Sequence, residues 1–181
     1  MTKEGDDVLS DALSKLNKIS YFVSLLSKIF LTILILMIII VVAVGIGVTL
    51  NADFFSQVIE DTGSSYTVSH IQEMSVTAVV GFALGAIVVY YVGRLFSNIH
   101  RTNTPFTDDS VKFLEMIAIL MVVGAFVIPI VSYATSFALE AEYNQSVGVN
   151  LFAVFAAFLI YFMSLVFKYG AMLQKESDEM L

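Results

Sequence analysis

Four long runs of apolar residues dominate the chain, at about 29–50, 76–94, 116–138 and 149–167. Each holds about 18 to 23 residues, which at 1.5 Å per residue matches a hydrocarbon core about 30 Å thick. Lipid offers no partner for an unpaired peptide group, so the runs must be helical. A water-soluble bundle would need polar helix faces, and the run 29–50 has almost none. The pattern predicts an all-α integral membrane bundle of four transmembrane helices.

The segment before the first run has its own periodicity and divides the chain into three regions. Apolar residues recur at helical spacing there, at Leu9, Leu13, Leu16, Ile19, Val23 and Leu26. One interpretation is an amphipathic helix lying at the membrane interface. The other is a continuation of the first span that packs on its neighbours. The regions are therefore an N-terminal amphipathic segment (1–28), a four-helix transmembrane domain (29–167) and a charged tail (168–181).

The distribution of charge predicts the orientation. All nine Lys and Arg residues precede the first span, lie between the second and third, or follow the fourth. The other two loops, 51–75 and 139–148, contain only acidic charges. These are Asp53, Glu60, Asp61, Glu73, Glu140 and Glu142. The positive-inside rule then places both termini in the cytoplasm, in a multi-pass protein of the plasma membrane.

The amino-acid composition excludes several classes of binding site and activity. The chain is 58% hydrophobic, carries a net charge of −7 and has no Cys. The acidic balance argues against nucleic-acid binding, and the missing thiols exclude disulfides and thiolate metal sites. No Asp, Glu, His or Lys falls inside the four runs, where ion carriers usually place ionisable groups. We therefore expect no enzyme activity, no cofactor and no metal site.

The loop between the second and third spans has strong local signals. Pro105 stiffens the approach, and Thr107 is a good N-cap for the third spanning helix. Phe106 and Val111 occupy the positions of a hydrophobic staple. Before the second span, Ser69 and Gln72 have the spacing of a capping box. The 105–107 loop is predicted to turn the chain sharply between antiparallel helices.

Several stretches resemble a prokaryotic four-span membrane family catalogued as a domain of unknown function (family 2975). They are Leu95-Phe96-Ser97-Asn98-Ile99, Thr104-Pro105-Phe106-Thr107, Leu114, Ile117, Leu159 to Phe167, Lys168-Tyr169-Gly170-Ala171, Leu173-Gln174 and Glu176-Ser177-Asp178. Asn103 stands where the family usually has Gly, and Asn also tolerates a left-handed backbone. The resemblance implies a helix-turn-helix regulator encoded nearby, and thus a regulatory partner. It brings no catalytic residues.

Three groups of residues are candidate sites. Small residues that permit close helix packing are Gly81, Gly85, Ala156 and Ala157, either as a homodimer seam or within one bundle. Pro129 is a candidate kink, followed by hydroxyls that either open a polar pocket or bond back to the helix. Charges at the cytoplasmic helix ends are Arg94, Glu115 and Lys168, and an Arg94–Glu115 pair is expected across the short loop.

Three functions remain open. The first is a non-enzymatic interaction, sensor or regulatory module, with the 94–112 loop and the 168–181 tail as docking surfaces. The second is a small-solute channel or transporter lined by hydroxyls. Its candidate lining residues are Tyr90, Tyr91, Ser132, Thr135, Tyr161 and Ser164. The third is immunity against a cationic toxin, contacted by Asp53, Glu60 and Asp61.

Overall fold

A computed structural model describes residues 3–63, 66–141 and 148–180, and within them the chain is helical with no strand. Five helices follow one another: α1 Lys3–Leu50, α2 Ala52–Asp61, α3 Val68–Thr102, α4 Asp108–Ala138 and α5 Leu151–Glu179. Four of them, α1, α3, α4 and α5, are long and apolar enough to cross a membrane. The predicted all-α fold with four spanning helices is confirmed. Glu142 lies outside the described residues.

Each spanning helix is longer than the apolar run that predicted it. The second run, 76–94, is the middle of the 35-residue α3, and the fourth, 149–167, lies mostly within the 29-residue α5. Hydropathy detects only the part of each helix that is apolar enough to lie in the hydrocarbon core. Once a helix is nucleated, each further residue adds a hydrogen bond at little cost, so the polar flanks continue the helix.

The N-terminal segment is the first part of α1, which runs unbroken from Lys3 to Leu50. The structure therefore has the continuation of span one and no separate interfacial helix. Two residues of the predicted apolar face, Ile19 and Leu26, are 60% and 51% exposed. Among residues 13–28, whose burial the structure describes, the buried positions are Ser20, Ser24 and Ser27. Small side chains allow helices to approach closely in lipid, whereas large apolar ones are equally stable facing the acyl chains.

The middle of α1 has a large exposed apolar surface. Residues 28–47, all of which the structure describes, include none that is buried. Among the exposed side chains are Phe30, Ile39 and Ile46, each at least half exposed. Monomers in water rarely expose so large a continuous apolar surface. This helix is therefore suited to a lipid environment.

The chain folds as two compact units. The basic unit comprises Met1–Leu31, Ile87–Met121 and Phe155–Leu181, and it contains all nine Lys and Arg residues. Its core consists of Leu95, Ile99 and Leu114. Side chains from α1, α3, α4 and α5 pack against that core: Leu16, Phe96, Phe113, Ile160 and Phe167. Ala157 is also buried in this unit, and Ala156 is half-buried.

The acidic unit comprises Thr32–Ala86 and Val122–Val154 and has no Lys or Arg. Its tightest glycine contact is Gly45, where an added Cβ would lie 3.3 Å from the Ser75 Cβ. Gly81 makes only an ordinary contact, 3.8 Å from a Cβ position to the Ile128 Cδ1, and Gly85 has nothing within 4 Å. The tight approach within this unit is thus at Gly45, which the small-residue pattern did not single out.

Helix starts agree with the sequence at one place and differ at another. The Thr107 hydroxyl accepts a 3.2 Å hydrogen bond from the Ser110 amide, so Thr107 caps α4 as predicted. At α3 the cap is Thr67, whose hydroxyl accepts a 3.2 Å bond from the His70 amide. Ser69 lies inside the first turn, because the threonine two residues earlier offers an equivalent acceptor and lengthens the helix.

Candidate functional site

Asn98 is the centre of a hydrogen-bond network at the 102–107 loop of the basic unit. This buried amide donates to the Thr107 hydroxyl at 2.7 Å and to the Ser110 hydroxyl at 3.2 Å. The Arg101 guanidinium donates to the Asn98 side-chain oxygen, Oδ1, at 3.3 Å. The cap of α4 is thereby bonded to the last turns of α3. A buried amide with partners on both of its polar atoms fixes the angle at which the two helices meet.

The turn itself depends on Asn103, which has a left-handed φ of 55°. Its side-chain oxygen accepts a 2.9 Å bond from the Asn17 amide of α1. The Thr102 hydroxyl donates to the Thr104 carbonyl at 2.9 Å and closes the turn. Asn is among the few non-glycine residues that tolerate this conformation. Asn103 thus holds the left-handed turn and adds a contact to α1.

The loop also packs onto α5. Phe106 lies over Gly170, where an added Cβ would come within 2.5 Å of the phenyl ring. Its ring meets the Phe167 ring edge-on at 5.6 Å between centroids. Beside them, the Thr104 hydroxyl donates to the Gln174 side-chain oxygen at 3.3 Å. We call these five residues the loop–tail joint. Pro105, between Thr104 and Phe106, is half-buried.

The predicted pair between Arg94 and Glu115 does not form. The Arg94 guanidinium lies over the Phe113 ring, 5.7 Å from its centroid. The ion pairs found among the described side chains involve other residues. Residues 113 and 115 are two apart on α4, so their side chains point about 200° apart around the helix axis. Arg94, which contacts Phe113, therefore cannot also reach Glu115. Lys168 is exposed on α5 and is not part of this contact.

A buried carboxylate in the acidic unit was missed by the sequence analysis. Glu73 on α3 is only 6% exposed and accepts a 2.6 Å hydrogen bond from the Ser132 hydroxyl of α4. The Thr77 hydroxyl donates to the same oxygen at 3.2 Å. The His70 Nδ1 lies 3.8 Å from the other oxygen, and the His70 ring stacks on Tyr66. Glu73 was counted with the acidic 51–75 loop because that loop was bounded by the apolar run at residue 76, although the Ser69–Gln72 capping box already placed Glu73 in a helix. His70, Glu73 and Thr77, spaced by three and four residues, were the signal of a polar helix face.

The hydroxyls after Pro129 make hydrogen bonds of two kinds. Pro129 lies inside α4, which continues on both sides of it. The Thr135 hydroxyl donates back to the Val131 carbonyl, as a tolerated proline would allow. The Ser132 hydroxyl instead reaches Glu73. One hydroxyl therefore satisfies the helix backbone, and the other completes the buried network.

The six residues proposed to line a channel are divided between the two units. Ser132 and Thr135 belong to the acidic unit, and the other four to the basic unit. Ser164 is fully buried and donates to the Tyr161 carbonyl at 2.6 Å, while Tyr90 and Tyr161 are nearly half exposed. Among the described residues, no group of three or more His, Asp or Glu side chains is placed to hold a metal ion.

The described residues form an all-helical protein in which four helices are long and apolar enough to cross a membrane. A model of the family described as "Protein of unknown function (DUF2975)" matches residues 57–180. The chain belongs to this family. The match begins within α2 and includes both the 102–107 loop and the tail residues of α5, as the resemblance predicted. No curated protein and no solved structure matches the chain.

Proposed function

We propose that this protein is a non-enzymatic interaction module of the plasma membrane, which docks a soluble regulator at its basic unit. The observation that carries the proposal is the loop–tail joint, in which Phe106 packs on Gly170 and Thr104 bonds to Gln174. These contacts make a loop and a distant tail into one preformed surface. Partners bind preformed surfaces without the cost of ordering them first.

The surface around the joint carries charges of both signs. Asp108, Asp109 and Lys112 are exposed at the start of α4, and Lys168, Lys175, Glu176 and Glu179 are exposed on α5. Exposed charges of both signs contribute more to the choice of partner than to the strength of binding. The regulator encoded beside family members, which the resemblance implies, is the partner we propose. Its access depends on both termini lying in the cytoplasm, which the confinement of Lys and Arg to the basic unit supports.

Co-purification tests this function. The full-length protein is isolated from native membranes in mild detergent, as wild type and as a Lys112→Gln/Lys175→Gln variant. An Asp53→Asn/Asp61→Asn variant, which also changes two exposed charges, is the matched control. We expect a stoichiometric soluble partner with wild type and control, and much less with the lysine variant. Recovery of no such partner, or of equal amounts with all three proteins, would refute the proposal.

A second candidate is transport linked to an ionisable group, and Glu73 favours it. Charged residues buried within membrane helices usually mark ion or proton pathways. Glu73 contacts Ser132, Thr77 and His70 within one unit, as a substrate or proton relay requires. Liposomes containing wild type, Glu73→Gln or exposed Glu60→Gln protein separate the two functions. Flux of protons or small solutes that Glu73→Gln alone abolishes would support transport, and flux equal to empty vesicles would remove it.

A further inference from the structure

The basic unit has a polar cavity of about 160 Å³ beside the end of α3. Four of its lining residues lie on one face of α3, and two come from α4. They are Arg94, Ser97, Asn98 and Arg101, with Asp109 and Phe113. The α3 positions are spaced by three, four and seven residues, which places them on adjacent turns. The cavity is therefore formed by two helices that the Asn98 network already holds together.

Neither arginine in this cavity forms an ion pair with a described carboxylate. Among the side chains that the structure describes, no acid lies within 4.0 Å of either guanidinium. Arg94 rests on the Phe113 ring, and Arg101 donates to Asn98. A guanidinium has five donors in a planar fork that suits phosphate oxygens. These contacts leave donors for an anion in the same cavity.

An apolar groove of about 210 Å³ adjoins this polar cavity. Its walls are Leu31 of α1 and Val89, Tyr90 and Gly93 of α3, with Ser27 and Lys28 at its α1 side. Arg94 and Ser97 line both spaces, so the groove and the cavity meet at that point of α3. An anion-binding cavity that continues into an apolar groove matches a molecule with a phosphate and a hydrocarbon chain.

We propose that this composite site binds one membrane glycerophospholipid. Arg94 and Arg101 hold its phosphate, and the groove holds part of one acyl chain. Asp109 in the cavity accepts a hydrogen bond from a donor elsewhere on the headgroup. Ethanolamine and glycerol headgroups carry such a donor, whereas choline has neither an N–H nor an O–H group. The site thus selects by headgroup as well as by phosphate, and it does not depend on the proposed docking of a regulator.

Native mass spectrometry of the full-length protein tests the site. The protein in detergent is mixed with equal amounts of phosphatidylcholine, phosphatidylethanolamine and phosphatidylglycerol that share the same acyl chains. We expect wild type to retain an ethanolamine or glycerol lipid in preference to the choline lipid. The Arg94→Gln/Arg101→Gln variant should retain at most roughly one tenth of the lipid that wild type retains, since hydrogen bonds to charged groups are among the strongest in proteins. Lys168→Gln/Lys175→Gln loses the same charge outside the cavity and should retain as much as wild type.

Two further variants separate the groove and the headgroup contact. Val89→Phe fills the groove and should reduce lipid retention, while Ile87→Phe, at an exposed α3 position outside the groove, should not. Asp109→Ala should abolish the preference against choline. Val89→Phe leaves the arginines intact, so it decides the matter if the double arginine variant fails to fold.

Inorganic phosphate distinguishes a lipid site from a site for a free anion. An excess of phosphate should not displace the bound lipid, because it cannot occupy the groove. Displacement by phosphate, equal retention of all three lipids, or equal loss in the arginine and lysine variants would overturn the proposal. A regulator that still co-purifies with the Arg94→Gln/Arg101→Gln protein would show that docking and lipid binding are separate.

Discussion

Replacing Gly170 by Ala tests whether the loop–tail joint is tightly packed. Gly170 lies within α5, and a Cβ there would lie 2.5, 2.8 and 3.0 Å from the Cδ1, Cε1 and Cγ of Phe106. These distances are too short for carbon atoms in contact. The phenyl ring must therefore move off α5 and leave its edge-on contact with Phe167.

Two opposing effects set the size of the change. Alanine is favoured over glycine in a helix interior by about 1 kcal/mol. Overpacking a fitted contact costs about 1–3 kcal/mol, and the loss of an aromatic pair about 0.5–1.5 kcal/mol more. The cost outweighs the gain, so we expect Gly170→Ala to lower the free energy of unfolding by about 0.5–3.5 kcal/mol.

Denaturant titration in detergent micelles, followed by the near-ultraviolet circular dichroism of the tyrosines, measures this change. Gly47→Ala is the control, because that helical glycine has nothing within 4 Å and only the propensity gain applies. A double-mutant cycle with Phe106→Ala is the sharper test. Without the ring, Gly170→Ala should become stabilising. If the alanine had the same effect with and without the ring, the account of the joint would be wrong.

Three other substitutions have defined outcomes. Gly85→Ala should raise the free energy of unfolding by about 1 kcal/mol, because nothing lies within 4 Å of its Cβ position and only the gain in helix propensity applies, and conversion of a dimer to a monomer in size-exclusion chromatography would assign Gly85 to a homodimer seam. Ser132→Ala should destabilise the protein by about 1–3 kcal/mol in the same titration, because Glu73 loses its shortest hydrogen bond inside the acidic unit, and no change would contradict the burial argument. Asn103→Val should cost about 1–3 kcal/mol, since a β-branched residue resists a φ of 55°, whereas a cost no larger than that of Asn103→Ala would remove the role of branching.

Features set by neighbouring residues could be predicted from the sequence. The apolar runs identified all four spanning helices, and Thr107 was recognised as the cap of α4, because hydropathy and capping depend on nearby positions. The Ser69–Gln72 capping box predicted the start of α3 to within two residues, whereas the C-terminal ends of α3 and α5 could not be predicted in the same way. They lie in polar sequence that hydropathy does not assign to a helix.

Features that depend on contacts distant in sequence were missed. The buried serines of α1 are polar residues that a water-based helical pattern assigns to the outside, and lipid reverses that choice. Glu73 became a buried carboxylate only when Ser132, 59 residues later, supplied its partner. Likewise, Gly170 was noted only as part of a family motif. Its contact with Phe106 depends on how α5 packs against the 102–107 loop.

We propose that the four long helices cross a bilayer with the basic segments on the cytoplasmic side. The chain has no Cys, so single cysteines introduced at exposed Glu60 and Lys112 can be labelled without background. With a membrane-impermeant maleimide, Glu60→Cys should react in intact cells, and Lys112→Cys only after the membrane is permeabilised. Reaction of both variants from the same side would contradict the topology.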